Sequence, residues 1–459
     1  MIVFGFGLVM LAALCLALVS RRGHHEADPR AFFAAHGQFG VVLFFLLSVG
    51  ETYSIGSLLG FPGGIAATGS IDIVLWFVGY ILLAFPVGFF LYPALWRAGR
   101  RSSAITLPDL VGAHYRSRVA ESLTGLVLVM LMLPMGTMQF VGLAGVLSRL
   151  GLGFSPLVLA GSAAFMAFLF VAIAGLRAAA LISVLKDTLV LLAILLVAGL
   201  TLWHFPAEQS RSLAESLSSG GSSAGSACAM IMSTIIVQAV GFCVAPQAVA
   251  AIFSARSPAV IRRAQIWMPL YMALFPLLFV VAAYGLTHAG LGGTPDQIFL
   301  AVTSRSLPGW VAGIVYGAVA LTALVWLGSV CLSLAAIVTR NIVPHVPPAQ
   351  QKRVGLLVIA TYLVFAVVTA SMHPVLLVSL NKLFYVGLVQ MLPGVLACVA
   401  GWRVAPLFYL GGLGAGLATG FGLAASQASL GGLNPSVPAL AVNALVLALG
   451  WGFSRRILR

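Results

Sequence analysis

Residues 48–56 read SVGETYSIG, and they place a carboxylate, Glu51, between the apolar run GVVLFFLL (40–47) and the turn-like FPGG of residues 61–64. What surrounds that acid decides the fold. Hydrophobic residues make up 61% of the 459 and charged residues 7%, with a mean hydropathy of +1.10. Too little polar surface exists to cover a water-soluble globule. The chain therefore reads as an all-α integral membrane protein. Thirteen runs approach the ~20 apolar residues needed to cross a bilayer, the first at 2–20 and the last at 437–453. Their Gly and Pro residues are tolerated in membrane helices, where neighbours satisfy the freed backbone groups. Continuous apolar runs also exclude a β-barrel, which needs alternation.

The first run lacks a charged leader and is followed by Arg21 and Arg22, so it reads as a retained span rather than a signal peptide. The positive-inside bias then puts the N-terminus in the periplasm and the C-terminus in the cytoplasm of an inner-membrane protein. On that orientation the Arg-rich segments 97–118, 256–263, 340–353 and 455–459 all face inward. The formal charge of +14 is accounted for by topology and anionic membrane lipids, not by nucleic acid. Cys15, Cys228, Cys243, Cys331 and Cys398 all fall within spans without metal or redox spacing, and read as packing thiols. No Walker lysine motif, nucleophile elbow or H-E-x-x-H is present, so neither an enzyme nor a cofactor is expected. No obligatory protein partner is evident.

A carboxylate in mid-membrane costs on the order of 2.5–3.5 kcal/mol on insertion scales and marks a functional site. GETYSIG interrupts its span, and QAVGFCVAPQ (238–247) interrupts another five spans later. That spacing suits two inverted five-helix repeats whose broken helices bind solute and ions at the midplane. The expected organisation is a leading helix and basic loop (1–30), a first repeat (31–203), a second repeat with its preceding loop (204–400), and two trailing helices (401–459).

Several stretches carry a resemblance: GETYSIGSLLGFPG, SAITLPDLVGAHYRSR (103–118), AGLRAAALISVLKD (174–187), FSARSPAVIRRA (253–264) and TRNI (339–342). In this order the chain resembles the sodium:solute symporter family over about residues 33–400. It is most similar to the bacterial monocarboxylate transporter branch, through Glu51, Gln139 and the turn Gln390–Leu392–Pro393. The resemblance implies a leucine-transporter-type core with one leading and two trailing helices, about 13 in all. It further implies a secondary transporter working by alternating access on a small organic anion such as lactate, pyruvate or propionate.

Coupling is where the chain departs from that pattern. Sodium-coupled relatives carry adjacent hydroxyl residues in the eighth core helix, and alignment from TRNI puts Val325 and Trp326 there. Neither ligates a hard cation. Gly50, Tyr53, Thr322 and Ser329 remain as candidate sodium ligands if the register slips. Protonation of Glu51 is the competing mechanism, since low dielectric favours a neutral carboxyl; the coupling ion, proton or sodium, stays open.

Lys382 lies eight residues after Pro374, about 12 Å along a helix. It is expected to face the cavity, either paired with Glu51 or receiving a substrate carboxylate, against the alternative of a lysine stretching outward. Thr52, Gln139, Gln238, Phe242 and Gln247 complete the candidate solute site with Tyr53. Tyr53 and Phe242 serve as walls, and the freed N–H groups near Gln238 and Gln247 as anion donors. Packing is the plainer reading of the aromatics, and an interhelical bond that of Gln139. Lys186, Asp187 and Asp109 read as helix-end and gate residues, and His24, His25, His114 and His345 as solvated loop side chains. Two other functions are weighed: a sodium-coupled symporter for an amino acid or other organic solute, and a membrane sensor acting with a separate signalling partner. For the sensor, the chain's end at SRRILR leaves no transmitting segment in view.

Overall fold

The computed structural model describes residues 1–21, 39–70, 72–204, 224–287, 293–343, 346–372, 376–428 and 430–457, and the described residues are helical almost throughout. The leading helix α1 (Ile2–Arg21) is followed by the first broken span, α2 (Val41–Ser48) and α3 (Phe61–Thr68). Next come α4 (Asp72–Ser102), a short α5 (Leu107–Tyr115), and the pair α6 (Arg118–Leu131) and α7 (Leu133–Ser148), which together make one span. Helix α8 covers Pro156–His204. The second broken span is α9 (Ala224–Gly241) and α10 (Pro246–Ser254), and α11 (Pro258–Met272) joins α12 (Phe275–Thr287). A turn at Pro295–Gln297 leads into the short α13 (Ile298–Ser306), then α14 (Gly309–Ile337) and α15 (Pro348–Met372). Helices α16 (Leu377–Leu388) and α17 (Leu392–Ala400) share a span, and α18 (Pro406–Ser426) and α19 (Ser436–Ile457) trail.

Among the described residues, eleven helices are long and apolar enough to cross a membrane, and twelve if the bent α9–α10 pair is one span. The thirteen expected from the sequence are not reached. The fifth run lies in the first part of α8, where the apolar stretch Val158–Ala172 is described. The chain is nonetheless an integral, multi-pass membrane protein.

Both breaks have local causes. In the first, a tight turn at Gly50–Thr52 leads to Tyr53, whose φ of −83° and ψ of 77° leave the helical region. The Ser57 hydroxyl donates to the carbonyls of Thr52 and Ser54, each at 2.9 Å, replacing helix bonds lost inside the membrane. In the second, Pro246 opens α10 and holds Ala245 extended (φ −63°, ψ 136°), as a residue before proline must be. The halves meet at 55°. The two broken spans touch at one end, where Phe39 N–H donates to Ser254 O (3.3 Å) and Arg256 N–H to Phe39 O (3.2 Å).

Helix α14 runs through the middle. It is apolar on every face, 25 of its 29 residues are buried inside the protein, and it packs against α1, α7, α8, α10 and α15. A helix so enclosed belongs to the core rather than the lipid boundary.

Candidate functional site

The unwound segment of the first broken span is the centre of the site. Glu51 lies on the Gly50–Thr52 turn and is buried, near Ser329 of α14, with its Oε2 unpartnered. Thr52 turns its hydroxyl back to Val49 O at 2.6 Å.

Directly behind the turn sits a buried ion pair. Lys186 and Asp187 of α8 are 1% and 3% exposed, which excludes the helix-end role expected from sequence. The Lys186 ammonium is 2.7 Å from Asp187 Oδ1 and donates to Gly50 O at 2.7 Å. The Tyr271 hydroxyl donates to the same Asp187 oxygen (2.8 Å). Asp187 Oδ2 is unpartnered and lies where a side chain on residue 50 would go, so only glycine lets the turn approach it. Sequence reasoning missed this pair as a site. The available signal was an adjacent Lys–Asp placed inside an apolar run, where charges are retained only with partners.

In front of the turn is a cavity of about 50 Å³, room for a few water-sized groups. Glu51, Thr52, Gln238, Phe242 and Gln247 line it. So do Tyr80 of α4, Met138 of α7, Asn381 with Tyr385 of α16, and Trp326 of α14, which the sequence raises only as a side chain unable to hold an ion. The i, i+4 spacing of Asn381 and Tyr385 puts both on one helix face. Gln238, beside Tyr385 in the lining, has an unpartnered Oε1. Both amide atoms of Gln247 are unpartnered, on a side chain 2% exposed. Gln247 is the second residue of α10, so it stands at a helix N-terminus facing the cavity.

Other expected residues are placed elsewhere. Tyr53 is not a wall: its ring stacks on Phe275 (4.5 Å) and its hydroxyl donates to Tyr271 O (2.9 Å). Gln139 is fully buried with both amide atoms unpartnered, but Met135 and Met138, not Gln139, reach the cavity from α7. Lys382 does not face the cavity. Helix α16 begins at Leu377, so Lys382 is only about 8 Å from its start. Helical side chains lean towards the N-terminus, and the exposed ammonium sits 5.7 Å over the Trp76 ring. That is the outward-stretching arrangement.

The candidate sodium ligands are not brought together either. Gly50 O is taken by Lys186, and the Tyr53 hydroxyl by Tyr271 O. Thr322 bonds Val319 O, seven residues and about 10 Å along the helix from Ser329. Among the described residues no cluster of His, Cys, Asp or Glu suits a metal ion. His114 donates from Nε2 to Trp402 O (2.9 Å); His24, His25 and His345 lie outside the described residues. The cysteines are free, with Cys15 and Cys228 exposed and Cys243, Cys331 and Cys398 buried.

At the Arg-rich end the resembling motifs meet. Thr106 and Asp109 form a capping box at the start of α5. Asn341 Nδ2 donates to Asp109 Oδ1 (2.6 Å) and Glu121 Oε1 (2.7 Å), and Thr106 donates to Asn341 Oδ1 (2.8 Å). The capping role expected for Asp109 is present, within a wider clasp between α5, α6 and the end of α14's span.

Comparison with known proteins agrees with this geometry. The chain shares 27% identity over 355 residues with the "Uncharacterized symporter YhjB" of Bacillus subtilis (strain 168), covering 76% of this chain and 71% of the relative. It shares 26% over 400 residues with a "Monocarboxylate transport permease protein" of Rhizobium johnstonii, covering 84% and 79%. Its fold matches that of a Na⁺-coupled sialic acid symporter solved in a substrate-bound outward-open state, with a TM-score of 0.79, 14% identity, and 99% and 98% of the two chains covered. The architecture is therefore the leucine-transporter type, with its two inverted five-helix repeats. With residues 32–410 matching the family as a whole, the chain belongs to the sodium:solute symporter family.

Proposed function

We propose that this symporter carries a small monocarboxylate, of the size of lactate, pyruvate or propionate, by alternating access, with the Arg-rich end in the cytoplasm. The cavity carries the reading. At about 50 Å³ it suits a solute of a few heavy atoms. Gln247 offers an unpartnered amide at the first turn of α10, where a carboxylate meets both the side-chain N–H₂ and the positive end of a helix. Phe242, Met138 and Trp326 supply apolar walls for a short alkyl group. The likeness to the Rhizobium monocarboxylate transport permease supports the same class.

One observation favours a second reading. The unpartnered Glu51 Oε2 would accept an ammonium, which suits an amino acid, coupled to sodium as in the runner-up expectation. Uptake into proteoliposomes separates the two. Labelled lactate, pyruvate, propionate and a set of amino acids are offered with sodium and proton gradients imposed separately. We expect saturable uptake of a monocarboxylate that excess amino acid does not inhibit. Uptake of amino acids alone selects the second reading, and no organic solute moving under either gradient defeats both.

A further inference from the structure

The all-oxygen pocket behind the first break already has an occupant. Around one point the fold gathers the Gly50 carbonyl, which also accepts from Tyr53 N–H (3.3 Å), and the Asp187 carboxylate, with Glu51 the next residue of the same turn. Such a donor set suits a hard cation. The group standing there is the Lys186 ammonium, 2.7 Å from both Gly50 O and Asp187 Oδ1.

We propose that Lys186 is a tethered cation: its ammonium holds the site that a free sodium ion would need, so the protein has no sodium requirement there. Three features carry this. The lysine is 1% exposed, so it has no route to water and its charge is compensated within the site. Two of its three donors go to the break itself and to the neighbouring acid, which leaves a free ion no place at Gly50 O. The two unpartnered oxygens, Glu51 Oε2 and Asp187 Oδ2, are what a vacated site would offer to a replacement cation. The groups facing Lys186 are Asp187 on its own helix, Gly50 and the neighbouring Glu51 on the turn, and Tyr271 from α11 through Asp187. Tyr53 closes the set behind Tyr271.

The consequence for coupling rests on the symporter reading, but its test does not involve the solute. Purified full-length protein is melted in detergent, without organic solute, in choline, sodium or methylammonium chloride at constant ionic strength. Wild type should melt at the same temperature in all three. Lys186→Ala should melt lower in choline, and sodium or methylammonium should raise it by about 2 °C or more, because an ion that binds only the folded state stabilises it. Lys186→Met, which fills the space without charge, should melt lower and respond to neither ion. A saturable rise of the wild-type melting temperature with sodium overturns the proposal, and that arm stands even if the variants fail to fold. Lys186→Ala melting like wild type, or ignoring both ions, overturns it too. Failure here leaves the monocarboxylate assignment intact, since that assignment is read from solute uptake alone.

Discussion

Gln247 and Gln139 are both buried glutamines with idle amides, yet only Gln247 borders the cavity. Their substitution by leucine should therefore diverge. Gln247→Leu removes a donor to the solute carboxylate and should weaken binding by about 1.5–3 kcal/mol, roughly ten- to a hundredfold in Kd. Gln139→Leu should leave binding unchanged and hold or raise the melting temperature, since it removes a buried polar group that has no partner. Equilibrium binding of the transported solute, read beside thermal melting, checks both; equal weakening would show that the cavity has been misassigned. The sequence made these two residues look alike because each interrupts an apolar span. Which helix face a glutamine takes depends on neighbours far away in the chain. Glu51 was legible for the opposite reason: an acid within an apolar run is costly wherever it points. Lys186 and Asp187 were misread because adjacent charges near the start of a run look like its boundary, and only packing against Gly50 reveals their depth.

At the level of elements, the clasp at the Arg-rich end explains why SAITLPDLVGAHYRSR and TRNI belong together. Asn341 is fully buried and serves Asp109, Glu121 and Thr106 at once, while Ser122 donates to its backbone carbonyl at 2.6 Å. Asn341→Ala strips the partner from Asp109 Oδ1 and from the Thr106 hydroxyl proton, while Glu121 Oε1 keeps Arg118, and should cost about 2–4 kcal/mol, the penalty of two or so orphaned polar groups in one network. Asn341→Asp should cost more, since it places a third carboxylate beside two others and removes the donor they share. Thermal melting gives the order, wild type above Ala above Asp; Asp melting above Ala would refute the donor assignment. Local signals for this region were strong in the sequence, as the capping box shows. The contact was hidden because more than 200 residues separate its halves. The same limit applies to Lys382, whose helix starts at Leu377, later than the proline that had suggested its depth.

Across the whole molecule, a second link joins the two repeats at the end away from the clasp. Asp296, outside the spans, accepts from Leu377 N–H at the start of α16 (3.1 Å). Its backbone lies so close to Gly63 of α3 that any side chain there would collide. Burial pushes the Asp296 carboxyl up from 3.8 to about 6, against the opposing Leu377 hydrogen bond. The packed state thus binds a proton that the released carboxyl would not. Its contribution is complete below about pH 4 and is lost as pH rises through about 6, a change of about 3 kcal/mol at 1.36 kcal/mol per pH unit. Asp296→Asn keeps the acceptor for Leu377 and should remove this dependence. Melting of both proteins between pH 4 and 7 checks it, the wild type falling relative to the variant as pH rises; parallel curves would show that Asp296 does not titrate in this link. At this scale composition alone fixed the membrane class, and five spans between two breaks disclosed the repeats, because both depend on features spread along the chain rather than on particular contacts. The enclosure of α14 has a further mechanical meaning. A helix gripped on every side cannot shift without repacking against all its neighbours at once. On the proposed alternating-access cycle, α14 is expected to be the stationary mast, with the broken spans swinging against it like doors hung on one post.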